Sequence, residues 1–291
     1  MTYFDKLRAA SIARDSLLCV GLDPDPKLIR GGLEGAVKFC RTLIEATSDI
    51  ACSYKPNAAF WEQYGPRGWE GLATVRRLVP PDMPVLLDCK RADVPKTMAA
   101  YASAVFDAMD FDAATVHAYH GADSLAAFTK YKARGVYVVC HTSNPGRSDL
   151  QHLSCGSEAL YVAVAEMAVY SDQGGNTGVV MGATAPIEAA AIRARFPKLP
   201  FLLPGIGRQG GDVDAAVAAS FTGDPASCLI AVAGAIMYAE DQRASAIAWR
   251  DRMRRAVERR RTLPAELPDK PLQRTGRRPP HHARASRPPG R

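Results

Sequence analysis

No run of apolar residues in this chain approaches the roughly 20 needed to cross a bilayer, so neither a membrane-spanning helix nor a membrane partner is expected. The first 15 residues are mixed and charged and lack the apolar core of a secretory signal. Cysteine is present but poorly patterned. The seven residues Cys19, Cys40, Cys52, Cys89, Cys140, Cys155 and Cys228 are odd in number, and none has the C-x-x-C spacing of a zinc or redox motif. Several fall inside short apolar runs, so reduced buried thiols and a cytoplasmic location are expected. No repeat of 20–50 residues marks a solenoid or propeller.

Charge of one sign is also scarcer than the total suggests. The net +7 reads at first as a hint of nucleic-acid binding. Residues 262–291, however, carry seven Lys/Arg against two acids, so five of the seven net charges belong there and only two to all other residues. That segment is rich in Pro and Arg and poor in large apolar residues, and it reads as a solvated, disordered extension. No nucleic-acid partner is expected. Residues 1–261 then form one domain, and with 47% hydrophobic residues in the chain they can fill one large core.

Eight short apolar runs, at 16–20, 50–54, 85–87, 113–116, 136–140, 179–181, 201–203 and 229–233, predict strands. Stretches with helical spacing lie between them, for example at 28–48, 97–109, 157–169, 186–195 and 242–260. Strands alternating with helices pair in parallel, and eight such units close into a (β/α)8 TIM barrel. Chemistry in such a barrel sits where strands end. Those ends read Asp23, Lys55, Asp88/Lys90/Asp93, His117, Thr142-Ser143-Asn144, Gly182-Ala183-Thr184 and the glycine-rich run from Gly205 to Gly211. A core has no need of polar and glycine residues gathered at one end of nearly every strand. The pattern describes an active-site rim.

The densest part is Val85-Leu-Leu-Asp-Cys-Lys-Arg-Ala-Asp-Val-Pro-Lys-Thr97. Residues two apart on a strand share a face, so Asp88 and Lys90 are expected to project side by side, with Asp93 just beyond. Acid and amine crowded at the mouth of a buried strand cost desolvation energy that folding alone rarely asks for.

These segments, together with Cys19-Val20-Gly21-Leu22-Asp23-Pro24, Tyr54-Lys55-Pro56-Asn57-Ala58-Ala59-Phe60, Thr142-Ser143-Asn144-Pro145-Gly146 and Pro204-Gly205-Ile206-Gly207 followed by Gln209-Gly210-Gly211-Asp212, resemble the orotidine 5′-phosphate decarboxylase family, in its longer bacterial branch. The resemblance spans residues 18–239. It implies a Lys-Asp-Lys-Asp array at Lys55, Asp88, Lys90 and Asp93 as catalytic residues. Lys90 would stabilise the carbanion left at C6 of the pyrimidine and then protonate it. The family also implies Asp23 and Lys55 on the ribose, Ser143 on the pyrimidine edge and Gln209 bridging pyrimidine and phosphate. Asp93 and Thr97 would reach into the neighbouring subunit of a homodimer with shared active sites. The substrate would be a small pyrimidine nucleotide, and neither a metal nor an organic cofactor is expected.

The chain departs from the family at four places. Gly234 stands where a phosphate-binding Arg is usual. Arg208, in the glycine-rich loop, is the expected compensation, alongside Gln209 and the backbone N–H groups of Gly210 and Gly211. His117, His120 and His141 replace other residue types near the barrel mouth. Their partners would come from different loops, so altered pocket lining is expected rather than a metal site. These departures leave an alternative, a diverged paralogue acting on a related pyrimidine nucleotide or nucleoside. Magnesium-dependent sugar-phosphate enzymes share the Asp-x-Lys-x-x-Asp pattern but carry a carboxylate where this chain has Lys55.

Overall fold

The structure is a computed structural model and describes residues 1–207 and 209–262. Eight strands, β1 (Leu18–Gly21), β2 (Ser53–Lys55), β3 (Leu86–Arg91), β4 (Ala113–His117), β5 (Gly135–His141), β6 (Thr177–Met181), β7 (Phe201–Leu203) and β8 (Cys228–Val232), pair in parallel in the order β2-β1-β8-β7-β6-β5-β4-β3. A parallel bridge from Tyr54 to Val85 joins the two ends of that order, so the sheet closes into the expected barrel. Each of the eight apolar runs overlaps one strand.

The helices are α1 (Tyr3–Arg14), α2 (Gly32–Thr47), α3 (Ala58–Glu62), α4 (Pro66–Leu78), α5 (Pro95–Ser103), α6 (Ala122–Thr129), α7 (Leu160–Tyr170), α8 (Pro186–Arg195), α9 (Val213–Ser220), α10 (Gly234–Met237) and α11 (Gln242–Thr262). Three differ from the spacing-based expectation for local reasons. The helix expected from 28 starts at Gly32, because a turn closed by Asp25 O accepting from the Leu28 and Ile29 amides occupies the preceding residues. The one expected at 97–109 begins at Pro95, whose fixed φ suits the first helical position, and widens into a π turn at Ala104–Ala108. The one expected from 157 yields its first residues to a small hairpin pairing Ser154–Cys155 with Glu158–Ala159.

Helix α1 precedes the first strand and is an element that the apolar runs do not reveal. Thr2 and Asp5 form a capping box, with Asp5 N donating to Thr2 Oγ1 and Thr2 N to Asp5 Oδ2. Its Tyr3, Phe4, Leu7 and Ala10 pack against Cys19, Cys52, Leu86, Tyr137 and Leu202 inside the barrel. Tyr3 lies over the start of β5, where a Cβ on Gly135 would meet the Tyr3 ring at 2.3 Å. The strand starts are thereby plugged. A larger apolar shell fills the space between strands and outer helices. The basic extension assigned to 262–291 lies outside the described residues, except Thr262, which ends α11.

Among the described residues, no helix is long and apolar enough to cross a membrane. All seven cysteines are free, and five of them are fully buried or nearly so.

Candidate active site

At the opposite end, the strand termini surround a cavity of about 500 Å³, a volume suited to a nucleotide-sized ligand. Asp23, Lys55, Asp88, Lys90, Ser143 and Gln209 all line it, each delivered by a different strand end or the loop beyond it apart from the pair on β3.

Asp88 is the hub. Its Oδ2 accepts from Lys55 Nζ at 2.9 Å and its Oδ1 from Lys90 Nζ at 2.5 Å. Thr115 Oγ1, on β4, donates to the same Oδ1 at 2.9 Å and accepts the Lys90 backbone N–H at 2.9 Å. Burial works against the Asp88 carboxylate, yet the two ammonium groups outweigh it and hold the group well below the usual carboxylate range. Burial likewise opposes the Lys55 charge, and Asp88 and Asp23 more than offset it, lifting Lys55 above the usual lysine range. The side chains of Lys55 and Asp88 are 6% and 10% exposed, whereas Lys90 keeps 41% of its surface. One ammonium is therefore locked into the wall, and the other faces the cavity.

Simple strand alternation does not account for Lys90. Its φ is +44°, and the pairing of β3 with β4 shifts register between Leu87 and Arg91. A left-handed conformation in a non-glycine residue costs of order 1 kcal/mol or more, and it is held by the Lys90 amide donating to Thr115 Oγ1 and by Nζ donating to Asp88. Asp88 and Lys90 do lie side by side, but through this irregularity rather than a flat pleat.

Around the hub, Asp23 accepts the Asn57 amide at 2.9 Å, and burial raises its pKa. Tyr238 OH links Asp23 O to the Asp25 amide, fixing the loop after β1. On the far side Ser143 Oγ bonds Gln209 Oε1 at 2.5 Å. Gly205 makes that approach possible, since its φ is +104° and a Cβ there would lie 2.9 Å from Ser143 Cβ. Gln151 braces the Ser143 loop by accepting the Thr142 amide and donating to Thr142 Oγ1.

Other expected residues fall elsewhere. Asp93 and Thr97, at the start of α5, do not line the cavity, and Asp93 accepts the Val94 amide. The Gly210 and Gly211 amides donate to Gly207 O and Gly205 O within their own turn, rather than pointing as a free pair toward an anion. Arg208 lies outside the described residues. Gly234 lines the cavity. His117 ends β4 half-buried, its pKa lowered by burial and then by Lys90, while His120 is exposed. Thr115, Asn57 and Gln151 were not anticipated. For Thr115 a signal existed: it shares a strand face with His117, two residues on, in an otherwise apolar strand.

An eight-stranded parallel barrel whose mouth holds a lysine–aspartate–lysine chain beside a nucleotide-sized cavity places this chain among the (β/α)8 barrel enzymes. Residues 16–248 match the Orotidine 5'-phosphate decarboxylase / HUMPS family. The chain is 47% identical over 247 residues to an orotidine 5'-phosphate decarboxylase of Thermomicrobium roseum, covering 82% of this chain and 88% of the relative. It is 42% identical over 246 residues to one from a Roseiflexus species, covering 82% and 90%. The solved Leishmania donovani OMP decarboxylase superposes with a TM-score of 0.81 at 42% identity, over 88% of this chain and 98% of that one. The chain also matches Leishmania donovani UMP synthase at 43% identity with a TM-score of 0.82, spanning 57% of that longer protein and 87% of its own length. The chain belongs to the orotidine 5′-phosphate decarboxylase family.

Proposed function

We propose that this chain decarboxylates orotidine 5′-phosphate to UMP and that Lys90 supplies the proton. The observation that carries the reading is the Lys55–Asp88–Lys90 chain on the cavity wall. The C6–carboxylate bond breaks, CO2 leaves, and the electron pair stays on C6 in the ring plane with no conjugated acceptor. A fixed ammonium beside that carbon stabilises the developing charge and needs no reorganisation as the reaction proceeds. The same Nζ then gives a proton to C6 and recovers one from solvent. Asp88 holds Lys90 in place, and Lys55 balances the charge of Asp88. Ser143 and Gln209 take the pyrimidine edge, and Asp23 with Lys55 takes the ribose.

Every cited relative over most of the chain is named for this decarboxylation or for UMP synthesis, and nothing favours the diverged-paralogue reading raised by Gly234 and the three histidines. The phosphate end remains the unusual part. We assign the anion to Gln209 and Arg208, since position 234 offers no charged side chain. Asp93 and Thr97, outside the cavity lining, are assigned to the partner site of a homodimer.

Replacing Lys90 with Ala tests the central assignment. Turnover of orotidine 5′-phosphate should fall by at least about 10⁴-fold, roughly 5.5 kcal/mol of barrier, in a folded protein. UMP should also exchange its C6 hydrogen with solvent deuterium in the parent and not in the variant. Residual activity within about tenfold of the parent (roughly 1.4 kcal/mol) removes Lys90 as the acid. For the shared site, mixing inactive Asp93→Ala and Lys90→Ala subunits should restore activity, because a heterodimer has one site with both residues intact. No recovery after verified subunit exchange rejects the shared site.

A further inference from the structure

Three groups outside the reaction cavity converge behind the Ser143 loop. His141 ends β5 and is fully buried. His152 comes from the loop that follows, and its Nε2 lies 2.9 Å from His141 Nε2. Glu188, in the first turn of α8, places Oε1 3.8 Å from His152 Nε2. All three ligand atoms lie within 4.8 Å of one another, and none of the three residues lines the cavity.

We propose that His141, His152 and Glu188 bind one divalent transition-metal ion of the zinc class, which fastens the loop after β5 to α8. Two imidazoles and one carboxylate are a ligand set that zinc accepts and that magnesium or calcium, which favour oxygen donors alone, does not. Ligands 2.0–2.1 Å from a tetrahedral zinc stand about 3.3 Å apart, between the two separations seen here. Small side-chain movements therefore suffice. Both Nε2 atoms open on the same gap, and an ion there would replace the hydrogen bond that now joins them, displacing its proton. The charged neighbours are Glu188, which favours a cation, and Arg147, which opposes it. The His152 and Glu188 side chains are 37% and 21% exposed, which leaves a path from solvent and room for a water as fourth ligand.

The loop concerned is already folded back on the barrel. Gln151, next to His152, clamps Thr142, next to both His141 and Ser143. A bound ion would tighten that clamp. His141 Nδ1 has no protein partner, so the site lacks the outer hydrogen bond that usually orients a zinc histidine. Its affinity is accordingly expected in the micromolar range rather than far tighter.

The test uses the full-length, tag-free chain stripped by chelator dialysis. Zinc is titrated against a chromophoric chelator, and cobalt(II) is titrated separately with its visible bands as the readout. One equivalent should bind with a Kd of about 1–10 μM, and cobalt should show the intense bands of a tetrahedral site. His152→Asn should weaken binding by about 100-fold and Glu188→Gln by about tenfold. Both residues are partly exposed, so either variant alone suffices if the other misfolds. The sequence also holds His281-His282, and replacing both with Ala must leave the tight equivalent intact. With zinc bound, amides at 145–159 should exchange with solvent at least tenfold more slowly. Absence of any equivalent tighter than about 1 mM overturns the proposal. So does binding that survives both His152→Asn and Glu188→Gln, binding that disappears with the His281/His282 replacement, or exchange at 145–159 that zinc leaves unchanged.

Discussion

The two ends of this barrel are built from opposite materials. At the strand starts, Tyr3, Phe4 and Tyr137 meet edge to face with ring centroids 5.0–5.9 Å apart, and Leu7 is fully buried beneath them. The ion pairs there, Lys6–Asp112 at 2.7 Å and Arg8–Asp224 at 2.9 Å, tie α1 to loops and satisfy helix and strand ends. At the strand ends the charges converge on one another: Lys55, Asp88 and Lys90 share a single hub, and Lys90 takes an uncommon backbone conformation to do so. The closed end stabilises the fold through apolar contact, and the open end spends part of that stability on a preformed electrostatic site. The two kinds of contribution should therefore separate in experiment.

The widest separation is expected between Lys90→Ala, whose loss is almost wholly in turnover, and Leu7→Ala. The second removes a fully buried side chain from the plug and should cost about 2–5 kcal/mol of unfolding free energy. It should lower Tm while leaving kcat per folded molecule within about twofold. A large kcat loss in Leu7→Ala at a temperature where the protein is folded would show that the two ends are coupled, and would end the comparison.

Arg208→Ala tests the proposed phosphate contact next. Activity toward the phosphorylated substrate should drop about 100-fold in kcat/KM, near 2.7 kcal/mol, with a much smaller loss on the unphosphorylated nucleoside. Adding Gly234→Arg should recover part of it. Equal losses on both substrates would place Arg208 outside the phosphate site.

Thr115→Val is the smallest and sharpest test. Thr115 hydrogen-bonds the hub through its hydroxyl, donating to Asp88 and accepting the Lys90 amide. Deleting that hydroxyl should reduce kcat about tenfold (roughly 1.4 kcal/mol) with little change in KM. Asp88 has a lowered folded pKa, so its contribution is present above the unfolded value near 3.9 and is lost as pH falls through the lower folded one. Thr115→Ser, which keeps the hydroxyl, should hold kcat near the parent value. An equal kcat loss in Thr115→Ser would assign Thr115 to packing alone.

How much of this was legible in advance also differs between the two ends. The barrel and its rim were readable because the strands are short and apolar and nearly every one has polar or glycine residues at or just past its end, so Asp23, Lys55, Asp88, Lys90, Ser143 and Gln209 fall at strand ends by position alone. The plug was not read, although Thr2-x-x-Asp5 and the helical spacing of Tyr3, Phe4, Leu7 and Ala10 carried the signal. A charged stretch ahead of the first strand looks like a lead segment until a core is available for it to fill. The Lys90 conformation, the Thr115 bridge and the meeting of His141 with His152 and Glu188 depend on pairing between segments, which periodicity within one segment does not encode. The turn that occupies the Gly210 and Gly211 amides is a matter of local backbone closure, and a glycine-rich run does not announce which of its N–H groups stay free.

The plug has a consequence for how the protein is born. Arg8 pairs with Asp224, 216 residues further along, and Tyr3 packs on Tyr137. Helix α1 is thus synthesised well before its partners and is among the last elements to find its seat. At about 5–20 residues per second, α1 waits roughly 10–40 s for Asp224 to be made. During that interval Tyr3, Phe4 and Leu7 have no barrel floor to dock on, and a 12-residue helix alone is marginal in water, so α1 is set only when the floor is complete.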